Sequence, residues 1–217
     1  SIYVDDLIIY VMKQLLNIWL NDKQVIKSKF KIDDIGNINY CLKMKITNLD
    51  NGGLKIDQSA YINSILKQFN MIDCNGTDNP STTIDLTNPD LFIDTSSILD
   101  DIHHGLYRKI IGKLLYLSNT TRLDITFATN MLSRFLHAPT EKHLQAAKII
   151  LRYLKTTSSI GIVLQKQNDN NKLFDLRIYS DAAHGNQVDN KSTMGYLTFF
   201  NGNLVSWNCL KAKVISL

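Results

Sequence analysis

Ser1-Ile2-Tyr3-Val4-Asp5-Asp6-Leu7-Ile8-Ile9-Tyr10 is the stretch that decides the fold, because two adjacent carboxylates interrupt an apolar, β-branched run. Such a run predicts two buried strands around a turn. Burying one unpaired carboxylate costs several kcal/mol, and a second beside it adds like-charge repulsion. A hard divalent cation such as Mg²⁺ would neutralise the pair, whereas a solvated Asp-Asp turn needs no ligand. These residues alone leave both interpretations open.

Length and composition indicate a globular chain of one large or two ordinary domains. The 217 residues are 44% hydrophobic, which is enough for a packed core, and carry a net charge of +4. Seven Asp and no Lys, Arg or Glu lie within residues 72–101, which leaves +11 on the rest of the chain. A basic body with one acidic connector suits a polyanionic partner such as nucleic acid.

Cysteine usage and hydropathy indicate the compartment. Cys41, Cys74 and Cys209 are widely spaced and odd in number, which predicts a reduced, intracellular environment, cytoplasmic or nuclear. No apolar run approaches the roughly 20 residues that span a bilayer, so we expect no membrane association. The chain has no initiator Met and starts inside a predicted strand, so we expect a piece of a longer protein.

The hydrophobic periodicity predicts a mixed fold of helices and antiparallel strands, with a polar loop or linker over residues 75–101. Asp50-Asn51-Gly52-Gly53 is a strong hairpin signal between two of the strands. We therefore expect an α+β fold. The predicted helices cover residues 15–30, 59–69, 107–117, 125–136 and 144–154, and the predicted strands cover residues 38–46, 54–57, 160–164, 174–180, 194–200 and 204–207.

Basic residues mark two candidate contacts with a phosphate backbone. Lys148, Arg152 and Lys155 fall at i, i+4 and i+7 on the last predicted helix, where a phosphate track and a solvated face fit equally well. Lys43 lies on one face of the strand predicted at 38–46, where an exposed lysine on a half-buried strand is the alternative. Thr140 is the predicted N-cap of the last helix.

Asp181 is the third candidate carboxylate, because it follows the strand predicted at 174–180. A carboxylate at the end of a strand suits a metal ligand, and it is equally common in ordinary turns. Both interpretations stay open on the residues alone.

A collinear series of short motifs runs through nearly the whole chain. In order they are Tyr3-Val4-Asp5-Asp6, Phe30-x-Ile32-x-Asp34-Ile35-Gly36, Gln58-x-x-Tyr61-Ile62, Tyr107-Arg108-x-x-Ile111-Gly112, Thr121-Arg122-x-Asp124-Ile125, Leu132-Ser133-Arg134-Phe135, Pro139-x-x-x-His143, Ala146-Ala147-Lys148-x-x-Leu151-Arg152, Tyr179-Ser180-Asp181-Ala182 and Lys191-Ser192-Thr193-x-Gly195-Tyr196. This order resembles the Pol polyprotein of copia-type (Pseudoviridae-like) retrotransposons. The matching part runs from the C-terminal half of the reverse transcriptase into the ribonuclease H.

The resemblance implies an organisation in four segments. Residues 1–73 would be the C-terminal part of the reverse transcriptase palm, and residues 74–101 an acidic linker. Residues 102–158 would form a helical thumb or connection, and residues 159–217 the N-terminal part of a ribonuclease H-like domain. The expected α+β fold is then a partial palm hairpin, a helical thumb or connection, and an incomplete ribonuclease H-like sheet.

The resemblance also implies roles for the candidate residues. Asp5 and Asp6 would be polymerase carboxylates and Asp181 the first ribonuclease H carboxylate, all binding Mg²⁺ or Mn²⁺. Implied partners are an RNA template, an RNA–DNA hybrid, a dNTP in the parent enzyme and the rest of a Pol polyprotein. The parent gene would be a transposable element, which inserts its DNA copy by DNA integration. The implied nucleic-acid-binding residues are Lys43, Arg108, Arg122, Lys148, Arg152 and Lys155.

Departures from the family pattern set the expectation for activity. Lys43 stands where the family usually has Gly, and Ala183-His184 stand where it usually has Asp-Trp. The family takes one more polymerase carboxylate from upstream of Tyr3 and the next ribonuclease H carboxylate from beyond Leu217. We therefore expect these 217 residues to be a catalytically inactive fragment of an RNA-directed DNA polymerase and ribonuclease H. The alternatives are a residual nucleic-acid-binding module and a pseudogene product without an enzymatic role.

Overall fold

The chain combines helices with antiparallel strands, which confirms the predicted α+β class. The computed structural model describes residues 2–3, 6–9, 11–80, 98–166, 174–183 and 192–212. Two compact units divide the chain, residues 1–41 and residues 42–217. The four-segment organisation implied by the sequence stays a prediction.

The first unit begins with the hairpin that the opening stretch predicts. Strands β1 (Ile2–Tyr3) and β2 (Asp6–Leu7) pair antiparallel, with Ile2 opposite Leu7 and Tyr3 opposite Asp6. The two residues between the strands lie outside the described part of the chain. The pairing confirms the predicted hairpin strands, and the side chains of Asp5 and Asp6 lie outside the description.

The rest of the first unit is one helix and a short strand. Helix α1 (Leu16–Lys29) follows a turn of 3₁₀ helix and ends where Phe30 becomes extended. Strand β3 (Tyr40–Cys41) closes the unit. No residue in the described part of this unit is buried, and Phe30 is 64% exposed. The apolar periodicity thus predicts the helix correctly, but its apolar side chains build no core within this unit.

A cluster of four helices forms the core of the second unit. These are α2 (Ser59–Gln68), α3 (Asp101–Thr120), α4 (Thr126–Ser133) and α5 (Glu141–Thr156). Each turns an apolar stripe inward, as helical spacing requires. The fully buried side chains of this core include Ile62, Ile65, Ile110, Ile111, Leu114, Leu117, Ile125, Met131, Leu132, Leu144, Ile150, Leu151 and Leu154.

Polar caps fix where two of these helices begin. The carboxylate of Asp100 accepts from the backbone N–H of His103 at 2.8 Å and caps α3. Thr140 is the N-cap of α5, as predicted, and its backbone N–H donates to Nδ1 of His143 at 2.9 Å. The end of the predicted linker is tied to this start, because Leu99 N–H donates to the Pro139 carbonyl at 2.9 Å.

A three-stranded antiparallel arrangement in the second unit joins distant parts of the chain. Strand β4 (Met44–Asn48) pairs with β5 (Leu54–Asp57), and β5 pairs with β6 (Gly161–Leu164). A Cβ at Gly161 would lie 2.2 Å from the carbonyl oxygen of Ile56, so only glycine allows this close approach. Strand β6 therefore pairs with the hairpin of residues 44–57 and not with a strand of the last sheet.

The last sheet is an antiparallel meander of β7 (Leu176–Ala183), β8 (Thr193–Phe200) and β9 (Asn203–Lys211). It is anchored to the helices, because Nε1 of Trp207 donates to the carbonyl oxygen of Ser118 at 2.7 Å. Side-chain and backbone groups of Gln165 and Asn203 also exchange hydrogen bonds of 2.6 and 3.1 Å. This sheet is thus held by the helices and by the end of β6.

The strand predicted over residues 38–46 is wrong as one continuous strand. Leu42 and Lys43 have φ values of 47° and 61°, in the left-handed region, and they separate β3 from β4. Two consecutive positive φ values are the requirement of a type I′ turn, which prefers Asn-Gly. Leu42 and Lys43 are not typical turn residues, and the alternation of apolar and polar side chains continues through them, so the sequence pattern did not predict this turn.

Among the helices described, none combines the length and apolar character that crossing a membrane requires.

Candidate functional site

The polymerase carboxylates predicted at the opening hairpin are only partly placed. The backbone of Asp6 lies in β2 opposite Tyr3, and Asp5 lies outside the described residues. Neither side chain is described. Their predicted role as metal ligands therefore stays a prediction.

Asp181 lies within a strand, at the edge of a cavity. Strand β7 continues to Ala183, so the expectation that Asp181 marks the exit of the strand is wrong. Its Oδ1 accepts from the backbone N–H of Ala182 at 2.9 Å. The cavity has a volume of about 350 Å³ between α4 and the last sheet, with Phe127, Tyr196 and Trp207 among its walls.

Among its described lining residues, this cavity offers one carboxylate to a metal ion. Asp181 is exposed, and the other lining residues include the oxygen-bearing side chains of Thr126, Ser180 and Asn208 but no further acid. Mg²⁺ is commonly bound through one or two carboxylates and retained waters. In the described part of the chain, no three His, Cys, Asp or Glu residues lie together as a metal-binding group. Among the described residues that line the cavity, Asp181 is thus the one carboxylate, and its role as a metal ligand stays a prediction.

Lys43 is held in a strained turn against an aromatic pair. Its Nζ lies 4.7 Å from the centroid of the Tyr61 ring. Tyr61 packs edge-on against Tyr116, with centroids 5.5 Å apart, and the Tyr116 hydroxyl donates to the carbonyl oxygen of Leu42. Lys43 itself is exposed. The turn therefore presents a cation at the surface, while Tyr116 of α3 holds the Leu42 carbonyl beside it.

A second lysine, which sequence reasoning missed, reaches the same ring. Nζ of Lys113 on α3 lies 5.6 Å from the centroid of Tyr61. Lys109 lies one turn earlier on that helix and is exposed. The i, i+4 spacing of Lys109 and Lys113 was a signal in the sequence, but their proximity to Lys43 depends on how α3 packs beside the turn.

Arg122 is fully buried, at 0% exposure, and its guanidinium serves the fold. Its Nε and Nη2 donate to both carboxylate oxygens of Asp124, at 3.0 and 2.7 Å. Its Nη1 and Nη2 donate to the carbonyl and hydroxyl oxygens of Thr157, at 2.9 and 2.6 Å. The prediction that Arg122 binds nucleic acid does not fit this burial, because no donor reaches the surface.

The partly exposed Asp124 carboxylate completes the network of Arg122. The Tyr153 hydroxyl donates to its Oδ2 at 2.8 Å. Burial by itself raises the pKa of Asp124, but the hydrogen bonds and charge of Arg122 outweigh that effect, so the pKa lies below its ordinary value. Burial, followed by the Asp124 carboxylate, raises the pKa of Tyr153. The network is therefore a structural ion pair at neutral pH.

Arg152 and Lys155 hold the chain that follows α2. Nε of Arg152 donates to the carbonyl oxygen of Asn75, and Nζ of Lys155 donates to that of Cys74, each at 2.6 Å. Gly76 lies so close to α5 that a Cβ there would be 2.1 Å from Oγ1 of Thr156. Two of the three cations of the predicted phosphate track thus act first as anchors of this segment. The third, Lys148, is half-exposed and forms no ion pair in the described part of the chain.

Arg108 is exposed near the end of α4. Its Nε donates to the carbonyl oxygen of Leu136 at 3.2 Å, and Nε2 of His104 donates to the same oxygen at 2.8 Å. These bonds use one of the five donors of the Arg108 side chain. Since the residue is exposed, its predicted contact with nucleic acid is compatible with this position.

Comparisons with known proteins place the chain in a family. Residues 1–83 match the family model described as reverse transcriptase (RNA-dependent DNA polymerase). Over 98% of its length the chain is 37% identical to a retrovirus-related Pol polyprotein from transposon RE1 of Arabidopsis thaliana, and over 98% it is 33% identical to a putative transposon Ty5-1 protein of Saccharomyces cerevisiae. An uncharacterized mitochondrial protein of Arabidopsis thaliana is 30% identical over 99% of the chain, which covers 84% of that protein. The chain belongs to the copia-type retrotransposon Pol family.

The chain spans only part of these Pol relatives. It covers 14% of the length of the RE1 polyprotein and 66% of the Ty5-1 protein. No solved structure matches it. The activities of a whole Pol polyprotein are therefore only proposed for this chain, in the next subsection.

Two motifs of the Pol resemblance have an explanation in the fold. In Thr121-Arg122-x-Asp124, the buried arginine pairs with the partly exposed aspartate, and the Thr121 hydroxyl donates to Oε1 of Gln58 at 2.7 Å. In Pro139-x-x-x-His143, the buried imidazole of His143 accepts a hydrogen bond from the backbone N–H of Thr140, the N-cap of α5. The same ring stacks on Phe135, with centroids 3.8 Å apart. His143 is thus a packed, capping histidine.

Proposed function

We propose that the chain is part of the RNA-directed DNA polymerase and ribonuclease H of a copia-type retrotransposon. We further propose that these 217 residues bind nucleic acid and, by themselves, catalyse neither reaction. The observation that supports the proposal most strongly is the collinear similarity to the RE1 Pol polyprotein over 98% of the chain. In this proposal the binding partners are an RNA template and an RNA–DNA hybrid, met in the cytoplasm or nucleus.

The elements fit the segments of such an enzyme in order. The β1–β2 hairpin, with Asp6 on its second strand, fits the position of a polymerase carboxylate box. Helices α3 to α5 would be the thumb or connection, and the β7–β9 meander would be the first strands of the ribonuclease H-like sheet. Along the chain this order is the one that the resemblance implies.

The proposed metal ligands are Asp5 and Asp6 for the polymerase and Asp181 for the ribonuclease H. A bound Mg²⁺ or Mn²⁺ would supply charge neutralisation for phosphoryl transfer. Asp181 is one carboxylate on one strand, and two-metal hydrolysis needs several. This shortage of carboxylates is the physical reason for proposing that the isolated chain is inactive. A dNTP and the rest of a Pol polyprotein would be partners of the parent enzyme.

Nucleic-acid binding would rest on the cations that remain accessible. Lys43 and Arg108 are exposed, and Lys148 is half-exposed. Because such contacts release counterions from the phosphates, affinity should fall steeply as salt rises. Arg152 and Lys155 would contribute mainly through their charge, since both already bind backbone carbonyls.

Primer extension and hybrid binding test the two halves of this proposal. With Mg²⁺, a primed RNA template and dNTPs, we expect no extension by the 217-residue chain. Extension that Asp5→Asn abolishes would refute the proposed inactivity. With a labelled RNA–DNA hybrid we expect a dissociation constant that rises steeply between 50 and 200 mM salt. Absent or salt-independent binding would refute the binding role and favour a product without one.

A further inference from the structure

Strand β7 lies at an edge of the last sheet. Its eight residues pair with β8 on one side, and among the described strands no other pairs with it. All eight are exposed, with Leu176 at 62% and Ile178 at 64%. The opposite edge differs, because hydrogen bonds between Asn203 and Gln165 join β9 to the end of β6. Strand β7 therefore offers a long row of backbone donors and acceptors to another strand.

The two faces of β7 restrict how a second β7 could pair with it. Tyr179 lies opposite Leu197, and Leu197 lies opposite Trp207, which contacts helix α3. Arg177 and Asp181 share this face with Tyr179, because successive side chains alternate between the faces of a sheet. When a sheet continues into a second copy, directly opposite residues must share a face. The pairing must therefore oppose odd-numbered residues to odd-numbered residues.

Charge selects one of these registers. With Tyr179 opposite Tyr179 of the other copy, Arg177 lies opposite Asp181 twice, once on each side of the two-fold axis. Opposite charges directly across an antiparallel pair stabilise it, and like charges destabilise it. Moving the axis one residue toward the N-terminus would oppose Asp175 to Asp181, and moving it one residue the other way would oppose Arg177 to Ala183. The register centred on Tyr179 is therefore the one with two complementary charge pairs.

We propose that two copies of the chain associate through antiparallel pairing of their β7 strands, centred on Tyr179. The surface is the same on both copies, as a two-fold axis requires. Asp175 accepts from Nε and Nη2 of Arg177 at 3.1 and 2.8 Å, which orients the guanidinium. A guanidinium has five donors, so Arg177 can also bind Asp181 of the other copy. This association goes beyond the proposed function and does not depend on it.

Charge reversal tests the register. Sedimentation of the full 217-residue chain at increasing concentration should show a dimer. Arg177→Asp and Asp181→Arg each put like charges at both pairs, and each should raise the dissociation constant of the dimer by about tenfold or more. An equimolar mixture of these two variants should form a heterodimer, because every arginine then faces an aspartate again. Lys67→Asp, at an exposed lysine of α2, makes the same change in charge as Arg177→Asp and should leave the dimer unchanged.

Cross-linking tests the position of the axis without altering either charge. The Cβ atoms of directly opposite residues lie about 4.5–5.5 Å apart, close to the distance that a disulfide spans. Tyr179→Cys should therefore form a covalent dimer under mild oxidation. Val205→Cys, at a 52% exposed position on β9, is the matched control. It should form no more covalent dimer than the unsubstituted chain, which contains Cys41, Cys74 and Cys209.

The other outcomes overturn the proposal in distinct ways. A chain that stays monomeric at every concentration does not pair through β7, and if it still binds the RNA–DNA hybrid, the proposed function is unaffected. A dimer that tolerates both charge reversals is formed by another surface. If the two variants lose the dimer separately and do not regain it when mixed, the register is wrong. Equal cross-linking at residues 179 and 205 would place the contact elsewhere.

Discussion

Residues 1–41 are at least as rich in apolar side chains as residues 42–217, but the two units use them differently. In residues 1–41, helix α1 forms as its periodicity predicts, yet the described part of that unit has no buried residue. In residues 42–217, four helices bury one another, and Leu117 is 0% exposed. Hydrophobic spacing therefore predicts a helix from local sequence, whereas a core needs a second apolar face against it.

The ion pairs of the two units differ in the same way. Lys23 pairs with Asp34 in the first unit, where the Lys23 hydrogen bond lowers the pKa of the exposed carboxyl. Arg122 pairs with Asp124 in the second unit and shares its remaining donors with Thr157. Water screens the first pair, while the second is built into packed surroundings. Only the second should matter for stability.

Truncation of matched leucines should give the largest difference between the units. Leu117→Ala removes a fully buried side chain from the core and should lower the free energy of unfolding by about 3–5 kcal/mol. Leu20→Ala on α1, where the side chain is 48% exposed, should change it by about 0.5 kcal/mol or less. Urea unfolding followed by circular dichroism measures both. Equal losses would contradict the contrast in burial.

Removal of the buried arginine should come next. Arg122→Met keeps much of the side-chain volume but removes the guanidinium donors of Asp124 and Thr157, leaves the Asp124 charge without its cation, and should cost about 3 kcal/mol. The matched control is Arg177→Met, which breaks an exposed Arg–Asp pair of the same bidentate form. Its effect on the unfolding midpoint should be small. A larger loss from the control would show that burial is not what gives the Arg122 pair its importance.

The pH dependence of stability should also report the contribution of the Arg122–Asp124 pair, with a smaller effect than Arg122→Met. The pKa of Asp124 is lower in the folded chain than its ordinary value. The stabilisation by its charge is therefore present above the ordinary carboxyl pKa of about 3.9 and is lost as the pH falls through the lowered value. Asp124→Asn should lower stability at pH 7 and flatten its fall below pH 4. Parallel curves for the two proteins would argue against this role.

The smallest effect is expected at the strained turn. Lys43→Gly relieves a left-handed φ of 61° and loses one contact with Tyr61, so stability should rise by up to about 1 kcal/mol. Lys43→Gln loses the contact and keeps the strain, so it should destabilise by about 0.5 kcal/mol. Both should weaken binding of the hybrid. A glycine variant that is less stable than the glutamine variant would mean that the turn is unstrained.

Local signals predicted local structure. The helices of the second unit, the turn at Asn51 to Gly53 and the N-cap at Thr140 follow from spacing and turn chemistry. The role of Arg122 was not predicted, because a sequence does not reveal whether an arginine is buried. Its partner two residues later was the available signal. The meeting of Lys43 with Lys113, and of β5 with β6, depends on tertiary packing between segments far apart in the chain.

The pairing of β5 with β6 also has a consequence for synthesis of the chain. Asp57 pairs with Gly161 and Leu54 with Leu164, so the open edge of the β4–β5 hairpin is completed by residues made about a hundred positions later. At 5–20 residues per second, a ribosome leaves that edge without its partner for roughly 5 to 20 s. During this interval the edge can pair with another nascent chain. A translational pause after residue 57 would lengthen the exposure, whereas faster elongation toward residue 164 would shorten it.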